Sequence, residues 1–166
     1  MGIPFRQTRE FRKGRFGEEI VSLWLQSLGW YVLPAYDYAG NKRNKAPKLK
    51  GVADSLIVPD LLLARGGESR WGEVKTKAKA DFTYMTQRYE HGIPLRHYRH
   101  YLRVQHITGI PVWLLIYELK TGALFWKSLD SLSWVCREYH GYKMNSGGMV
   151  FFPRDIFDLL TMFPSL

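Results

Sequence analysis

The sequence predicts a mixed α/β fold, and three observations lead to this prediction. Apolar residues recur at helical spacing from about residue 17 to Leu28 and again over residues 95–108. Two strand-like runs, DLLLAR and RWGEVKTK, are separated only by a Gly-rich turn. The second helix runs directly into IPVWLLIYEL, which is rich in β-branched and aromatic residues and completes a strand, helix, strand unit. The expected order is helix, strand, two-stranded hairpin, helix, strand, and a less regular C-terminal part.

The first predicted helix follows a basic N-terminal arm at residues 1–15. Gly29 ends the helical repeat as a C-terminal cap would. The run WYVLPAYDY then predicts a strand. Residues 39–58 predict a basic loop, because Gly, Asn, Lys and Pro are frequent there.

The hairpin comes next. The apolar residues of DLLLAR are continuous rather than alternating, which indicates a strand buried on both faces. Pro59 is tolerated at the start of such a strand. The segment RGGES predicts a tight turn, after which RWGEVKTK returns antiparallel.

The predicted helix at residues 95–108 ends at Gly109 and has one apolar face. The residues expected on that face are Leu95, Tyr98, Tyr101, Leu102 and Gln105. The C-terminal segments LFWKSL and MVFFP predict short strands, and RDIFDLL predicts a final helix. Because no repeat is visible, we expect one domain over residues 1–166.

Positive charge is concentrated in two stretches. The chain carries 24 Lys and Arg against 15 acids, a formal net charge of +9. Residues 1–15 hold five cations and one acid, and residues 41–50 hold five cations and no acid, so these stretches account for the whole excess. Such clusters suit a polyanion such as DNA, or an anionic membrane surface. A solubilising tail and loop would carry the same charges.

The remaining composition narrows the class of protein. A single cysteine, Cys136, excludes an internal disulfide framework and a cysteine-based zinc site, and it is expected to be buried packing. The longest aliphatic and aromatic run, VWLLIY, is too short to span a bilayer, and the N-terminus lacks an apolar signal segment. We therefore expect a cytoplasmic, nucleoid-associated protein with no membrane partner.

The hairpin carries the candidate chemistry. Glu73 and Lys75 are two residues apart on a strand and so project to the same face, while the hairpin lays Asp60 on the neighbouring strand. Asp60 and Glu73 can then supply oxygens to one Mg²⁺ or Mn²⁺ ion, and the backbone carbonyl of Val74 lies between them. Lys75 could orient the attacking water, or act as a base if its pKa were strongly lowered. The alternative is an exposed hairpin with surface charges.

A third acid lies on the first helix. Glu18 shares a helical stripe with Val21 and Leu25, whereas Glu19 points about 100° away. Glu18 therefore borders the buried face. A glutamate in a first turn also complements the helix dipole, which is the simpler explanation of Glu18 alone.

Taken together, these motifs resemble a known family. The order Gly17-Glu18, then Pro59-Asp60, then Glu73-Val74-Lys75 resembles the PD-(D/E)XK nuclease superfamily. Within it, GRFGEE...WLQSLGW followed by GEVKTK is most similar to archaeal Holliday-junction resolvases and related small bacterial endonucleases. The similarity covers residues 13 to about 118. It implies a restriction-endonuclease-like core, with a mixed central β-sheet flanked by helices.

The resemblance also implies roles for particular residues. Asp60 and Glu73 would be Mg²⁺ ligands, Lys75 the catalytic lysine, and Glu18 an acid that supports the metal site or a second metal. Such enzymes usually release 5′-phosphate ends. The helix at residues 95–108 often contributes a polar residue to the site in this superfamily, and the candidates here are Gln105, Tyr98 and Arg96.

Several basic residues are expected to contact DNA phosphates. They are Arg12, Lys13, Arg15, Lys42, Arg43, Lys45, Lys48, Lys50 and Lys77. The histidines His91, His97, His100 and His106 lack the spacing of a zinc site and are expected to be solvated or to face DNA.

The sequence thus predicts a metal-dependent DNA endonuclease that hydrolyses phosphodiester bonds. Selectivity for branched structures is implied only by the resemblance to Holliday-junction resolvases, and the residues leave junction, duplex, flap and single strand open as substrates. Cleavage of two strands favours a homodimer. The main alternative is a non-catalytic nucleic-acid-binding module that keeps the fold. A membrane-binding interaction protein is a third reading, which the lack of large apolar residues in the basic arm disfavours.

Overall fold

The structure is a computed structural model of the 166-residue chain, and it describes residues 9–35, 47–140 and 147–164. Its helices are α1 (Arg9–Ser27), α2 (Leu95–Thr108) and the short α3 (Leu129–Ser133). Its strands are β1 (Tyr31–Pro34), β2 (Lys48–Lys50), β3 (Ser55–Ile57), β4 (Leu61–Arg65), β5 (Glu68–Lys77), β6 (Asp81–Thr83), β7 (Arg88–Pro94), β8 (Val112–Glu118), β9 (Ala123–Ser128), β10 (Arg137–Tyr139), β11 (Met149–Pro153) and β12 (Asp158–Met162). A 3₁₀ turn covers Arg154–Ile156.

A six-stranded mixed sheet forms the centre, in the order β1-β4-β5-β8-β9-β12. Strand β4 pairs antiparallel with β5, and β5 pairs parallel with β8. Parallel neighbours need a crossover connection, and α2 lies within it. This places β5, the strand with the candidate residues, in the interior of the sheet.

The two long helices cover opposite faces of this sheet. Alternate residues of a strand point to opposite faces, and the core divides accordingly. On one face α1 contributes Val21 and Leu25 to a cluster that includes Val74 and Leu115. On the other face, α2 contributes buried Leu95, Tyr98 and Tyr101, which pack with Leu114 and Ile116 of β8. The expected α/β fold, with a mixed central sheet flanked by helices, is confirmed.

The predicted hairpin and caps are also confirmed. Strands β4 and β5 are joined by Gly66 and Gly67, which adopt φ values of 57° and 83°. Positive φ at both central positions is the conformation of a type I′ hairpin turn, and glycine adopts it without steric cost. Gly109 ends α2 with φ 67°, and its N–H donates to the carbonyl of Gln105. The face of α2 differs slightly from the expectation, because Val104 is buried where Leu102 and Gln105 are only half-buried.

Three predictions about elements are wrong. The basic arm does not extend to residue 15, because α1 begins at Arg9 and residues 9–15 are helical. The basic loop contains β2 and β3, which pair as a small antiparallel hairpin. RDIFDLL is not a helix: the 3₁₀ turn ends at Ile156, and β12 then pairs with β9 at the edge of the central sheet. A short apolar run is ambiguous between helix and strand, and here the free edge of β9 decides it.

A second sheet was not foreseen. It has four strands in the order β10-β11-β7-β6, and β7 leads directly into α2. The hairpin of β6 and β7 lies between β5 and α2 in the chain. It is therefore close in sequence to Lys75. Among the described residues, no helix is both long and apolar enough to cross a membrane.

Candidate functional site

Asp60 and Glu73 are brought together where β4 begins. Leu61 pairs with Gly72, so Asp60, one residue earlier, lies beside Glu73. The backbone N–H of Val74 donates a 2.9 Å hydrogen bond to Oδ2 of Asp60. Both acids are buried, with 6% of Asp60 and 0% of Glu73 exposed. The hairpin therefore holds two carboxylates side by side out of bulk water, as the sequence predicts.

The surroundings of Asp60 oppose its negative charge. Burial raises the pKa of Asp60 well above its ordinary value, and the charge of Glu73 raises it further. Lys75 lowers the pKa, Glu18 raises it by less than Lys75 lowers it, and the Val74 N–H lowers it least, so burial and Glu73 determine the direction. Desolvated carboxylates close to one another favour protonation or a bound cation. The site therefore has an excess of buried negative charge that a cation would offset.

Lys75 is the partner of the buried Glu73 carboxylate. Its ammonium contacts Oε1, whereas Oε2 accepts no hydrogen bond within the part of the chain that the structure describes. Buried carboxylates are normally satisfied by several donors, because desolvation without partners is costly. The Lys75 side chain is 26% exposed, so its charged end lies between Glu73 and solvent.

A close helix–strand contact places Glu18. Gly17 is buried in α1, and a Cβ added there would lie 1.8 Å from Oγ1 of Thr76 on β5. Only glycine permits this approach of α1 to the candidate strand. The next residue, Glu18, is half-buried and close enough for its charge to raise the pKa of Asp60. The structure thus brings Glu18, Asp60, Glu73 and Lys75 into one region.

His97 is a neighbour of the site that the sequence analysis did not assign to it. It lies in the first half of α2 and is half-buried, not fully solvated. Burial lowers its pKa, Lys75 lowers it further, and Glu73 opposes the shift, so His97 lies within electrostatic reach of both residues. Its Nδ1 is 3.2 Å from the hydroxyl of buried Tyr101. The i, i+4 spacing of His97 and Tyr101 was visible in the sequence, but the direction of that face was not.

The three candidates named for α2 have other positions. Gln105 links two elements: its amide Nε2 donates to Asp130, and its Oε1 accepts from the N–H of Val112 at the start of β8. Tyr98 is buried in the core, with its hydroxyl 3.5 Å from Sγ of Cys136. Arg96 is exposed. None of the three has a recorded contact with Asp60 or Glu73, so Gln105 and Tyr98 are structural residues.

His91 and Cys136 differ from the predictions made for them. His91 is buried, and its Nε2 lies 3.1 Å from Oε1 of Glu118. Burial lowers the pKa of His91 to about 4, against the opposing charge of Glu118. His100 is half-buried and accepts a hydrogen bond from the N–H of Ile57. His106 is exposed as expected, and Cys136 is only half-buried.

Glu118 is the centre of a buried polar network that the sequence analysis missed. The Arg154 guanidinium donates to both carboxylate oxygens of Glu118, at 2.8 and 3.1 Å. Thr121 and the N–H of Ala80 donate as well. Burial raises the pKa of Glu118, but the Arg154 and Thr121 hydrogen bonds outweigh burial and lower it overall. Unlike Glu73, this carboxylate is fully satisfied, so it is a structural anchor at the end of β8.

The predicted DNA-contacting residues fall into three groups. Arg12, Lys13 and Arg15 are on α1, up to two turns before Glu18. Lys48 and Lys50 are exposed on β2, and Lys77 is half-buried two residues after Lys75 on the same face of β5. Lys42, Arg43 and Lys45 lie outside the described residues. The positions of the described cations are compatible with a phosphate path along α1 and β5.

The chemistry of the donors fits a hard divalent cation. Magnesium takes oxygen ligands, uses one or two carboxylates and keeps several waters. Asp60 and Glu73 supply two buried carboxylates, and Oε2 of Glu73 accepts no hydrogen bond within the described part of the chain. Among the same residues, no three His, Cys, Asp or Glu side chains form a ready-made cage for a metal. The arrangement therefore fits a water-rich magnesium site and does not fit a closed zinc site.

Comparison with known proteins supports the fold. No protein-family model and no curated protein sequence matches this chain. The solved structures that are similar to it include two nucleases. Hjc, a Holliday junction resolvase from Archaeoglobus fulgidus, is 11% identical, with a TM-score of 0.54 over 87% of this chain and 91% of its own. A nuclease from a fusselovirus is 11% identical, with a TM-score of 0.51 over 96% of this chain and 90% of its own. The chain therefore has the fold of these two nucleases.

Proposed function

We propose that this protein is a metal-dependent endonuclease that hydrolyses phosphodiester bonds in DNA. The observation that carries the proposal is the pair of buried carboxylates, Asp60 and Glu73, held side by side next to Lys75. Buried like charges are costly, and a fold stabilises them only with a partner. The nuclease fold of the two similar structures supports the same function.

The residues that would hold the metal are Asp60 and Glu73, with the carbonyl of Val74. The N–H and C=O of a strand residue point to the same side, so the Val74 carbonyl faces the side on which its N–H meets Asp60. Glu18 would support this site, or a second ion. A bound Mg²⁺ or Mn²⁺ supplies an activated water and offsets the charge that develops on the phosphate.

Lys75 would act on the phosphate and the attacking water. Its ammonium contacts Glu73 and is partly exposed, so it can also reach a substrate on the solvent side. There it would orient the water and stabilise the added negative charge of the transition state. The water oxygen bonds to phosphorus while the bond to the 3′ oxygen breaks, which leaves a 5′-phosphate and a 3′-hydroxyl.

Cations around the site would bind the DNA backbone. Arg12, Lys13 and Arg15 precede Glu18 on α1, and Lys77 follows Lys75 on β5. Contacts to phosphate give steep salt dependence and carry no sequence information directly. The proposed substrate is branched or otherwise distorted DNA, for which the likeness to a Holliday junction resolvase is the support. A homodimer that works on DNA in the cytoplasm, near the nucleoid, is part of the proposal.

The second candidate is a DNA-binding module without catalysis. The contact of Lys75 with Glu73 favours it, because a cation already neutralises one of the two carboxylates. In that case the Lys75–Glu73 pair is a structural ion pair and no metal is required. The two functions differ in whether the protein cleaves DNA when a divalent metal is present.

Cleavage of labelled DNA separates these functions. The substrates are a four-way junction, a flap, a duplex and a single strand, each with Mg²⁺, Mn²⁺ or EDTA. The variants are Asp60→Asn, Glu73→Gln and Lys75→Met, and Glu68→Gln is the matched control, since Glu68 is an exposed acid at the far end of β5. We expect metal-dependent cleavage that the first three variants lack and the control retains. A folded protein that binds the DNAs but cuts none of them would refute the nuclease and favour the binding module.

A further inference from the structure

The β6–β7 hairpin carries a cluster of aromatic side chains that the proposed active site does not use. Phe82 pairs with Tyr89 across the two strands, so their rings lie on one face of the hairpin. The ring of Phe82 also packs edge-on against Tyr84, with centroids 5.2 Å apart, and lies 5.3 Å from Tyr89. The exposed fractions are 82% for Tyr84, 53% for Tyr89 and 40% for Phe82. Three clustered rings are thus open to solvent.

Hydrogen bonds stabilise the turn that presents these rings. The side-chain amide of Gln87 donates a 2.6 Å hydrogen bond to the backbone carbonyl of Tyr84. The backbone N–H of Thr86 donates to the carbonyl of Thr83. Gln87 has φ 52°, a left-handed conformation that is uncommon for residues other than glycine. The Gln87 side chain thus ties the backbone of Tyr84 into the turn. Holding exposed aromatic rings in advance lowers the entropic cost of binding.

Cations lie next to the rings: Arg88 precedes Tyr89, and Lys79 and Arg154 line a crevice with it. Residues 75–89 contain four cations and one acid, and the cations are Lys75, Lys77, Lys79 and Arg88. Beside Tyr89 is a crevice of about 270 Å³, lined by Lys79, Ala80, Tyr89, Glu118, Thr121 and Arg154. Exposed rings next to cations suit a ligand with flat apolar faces and a chain of negative charges. Unpaired nucleotides have both features, and base–aromatic stacking with a positive groove is how single strands are bound.

The position of the hairpin connects it to the proposed cutting site. Lys75 and Phe82 are seven residues apart, a separation of at most about 25 Å in an extended chain. A stacked strand advances about 3.4 Å per nucleotide, so this distance corresponds to no more than about seven nucleotides. A single strand could therefore occupy both places at once.

We propose that the rings of Phe82, Tyr84 and Tyr89 form a stacking platform for unpaired nucleotides next to the phosphodiester that is cut. This inference rests on the proposed function, and it makes the substrate class more specific: DNA in which an unpaired strand adjoins a duplex. The platform reads no sequence, because every base has a flat face. It selects substrates that offer unpaired bases.

The test is DNA binding in EDTA, which keeps cleavage out of the measurement. Three labelled DNAs share one duplex: a blunt form, a form with a ten-nucleotide thymine tail, and a form whose tail has the same phosphates but no bases. We expect the thymine tail to tighten binding by at least about fivefold over the blunt duplex, and the abasic tail to give a clearly smaller gain. The thymine tail should lose this advantage with Tyr84→Ala or Tyr84→Leu and keep it with Tyr84→Phe.

Tyr31→Ala is the matched control, because Tyr31 is an equally exposed tyrosine (81%) on β1. It should leave the tail advantage unchanged. An equal gain from thymine and abasic tails, or a gain that survives Tyr84→Ala, would overturn the platform. So would dimerisation that Tyr84→Ala abolishes, because the rings would then bind a second copy of the chain. Binding of the blunt duplex alone would refute the platform but leave the nuclease standing. Failure to bind any of the three DNAs in EDTA would also refute the platform, whereas the nuclease is refuted only by the cleavage assay with Mg²⁺ and Mn²⁺.

Discussion

The N–H of Val74 hydrogen-bonds to Oδ2 of Asp60 across 14 positions of sequence, and this contact fixes the geometry of the candidate site. Asp60 lies just before β4, where ladder pairing with β5 ends at Leu61 and Gly72. The strand end therefore uses a side chain, instead of a backbone carbonyl, to satisfy the Val74 N–H. One oxygen of Asp60 is engaged in this way, and its carboxylate is held beside that of Glu73.

Neutralising Asp60 should abolish cleavage while stabilising the fold. Asn keeps an oxygen that can accept from the Val74 N–H but removes a buried charge beside Glu73. We expect Asp60→Asn to abolish cleavage and to raise the free energy of unfolding in EDTA by about 1 kcal/mol, or about 2–4 °C in Tm. Thermal melting and DNA cleavage on the same samples check this. A large drop in Tm would mean that the ionised carboxylate is a structural partner.

Divalent metal should stabilise the folded protein through the same two carboxylates. A ligand at about 100 times its Kd adds about 2.7 kcal/mol if it binds only the folded state. We expect Mn²⁺ to raise the Tm of the wild type and of Glu68→Gln, and to have no such effect on Asp60→Asn or Glu73→Gln. A metal-induced shift that survives in both site variants would place the metal elsewhere.

Gly17 should be intolerant of even one methyl group. Its added Cβ would lie 1.8 Å from Oγ1 of Thr76, so α1 must move away from β5. We expect Gly17→Ala to cost about 1–3 kcal/mol and to lower cleavage, because Glu18 moves with α1. Gly14→Ala is the control, since nothing lies within 4 Å of its added Cβ and alanine favours a helix interior. Thr76→Ala should restore part of the lost stability. Equal effects of the two glycine substitutions would contradict the proposed contact.

His91 should make the protein less stable in mild acid. Burial lowers its folded-state pKa to about 4, below the unfolded value of about 6.5, so the unfolded chain takes up the proton first. The stability due to neutral His91 is fully present above pH 6.5 and is lost as the pH falls towards 4, by up to about 3 kcal/mol. Denaturant unfolding between pH 7 and 4 measures the slope. His91→Gln should flatten that slope and His106→Gln should not, because His106 is exposed.

Two exposed lysines on β2 should contribute to DNA binding through charge alone. Lys48 and Lys50 are exposed side chains that need no rearrangement to meet phosphate. We expect the double change to alanine to reduce the slope of log affinity against log salt by about 2, with little effect on folding. Lys127→Ala on β9, which pairs with Asp158, removes a cation two strands from β5 and should leave the slope unchanged. An unaltered slope in the double variant would show that β2 does not contact phosphate. The triple change of Lys42, Arg43 and Lys45 to alanine, outside the described residues, should act in the same direction.

The sequence by itself determined the turn between β4 and β5 and the face on which each strand residue lies, because both depend on residues that are adjacent in the chain. Two glycines between apolar runs specify the turn that joins β4 and β5. A type I′ turn requires positive φ at both central residues, and glycine adopts positive φ without steric cost. Period-two alternation places Glu73 and Lys75 on one face, and the hairpin brings Asp60 beside them. The fold class and the grouping of these residues were predictable for this reason.

Only the tertiary structure decided which edges and faces are used. RDIFDLL becomes a turn and a strand because β9 offers an unpaired edge, which no local pattern records. His97 lies near Lys75, and Gln105 instead joins the start of β8, because the rotation of α2 is set by packing across the sheet. The aromatic cluster at Tyr84 likewise exists only once β6 and β7 pair. Local sequence propensity determines where helices and strands form. Strand pairing and burial between distant parts of the chain determine which side chains come into contact, and those contacts determine the chemistry of the site.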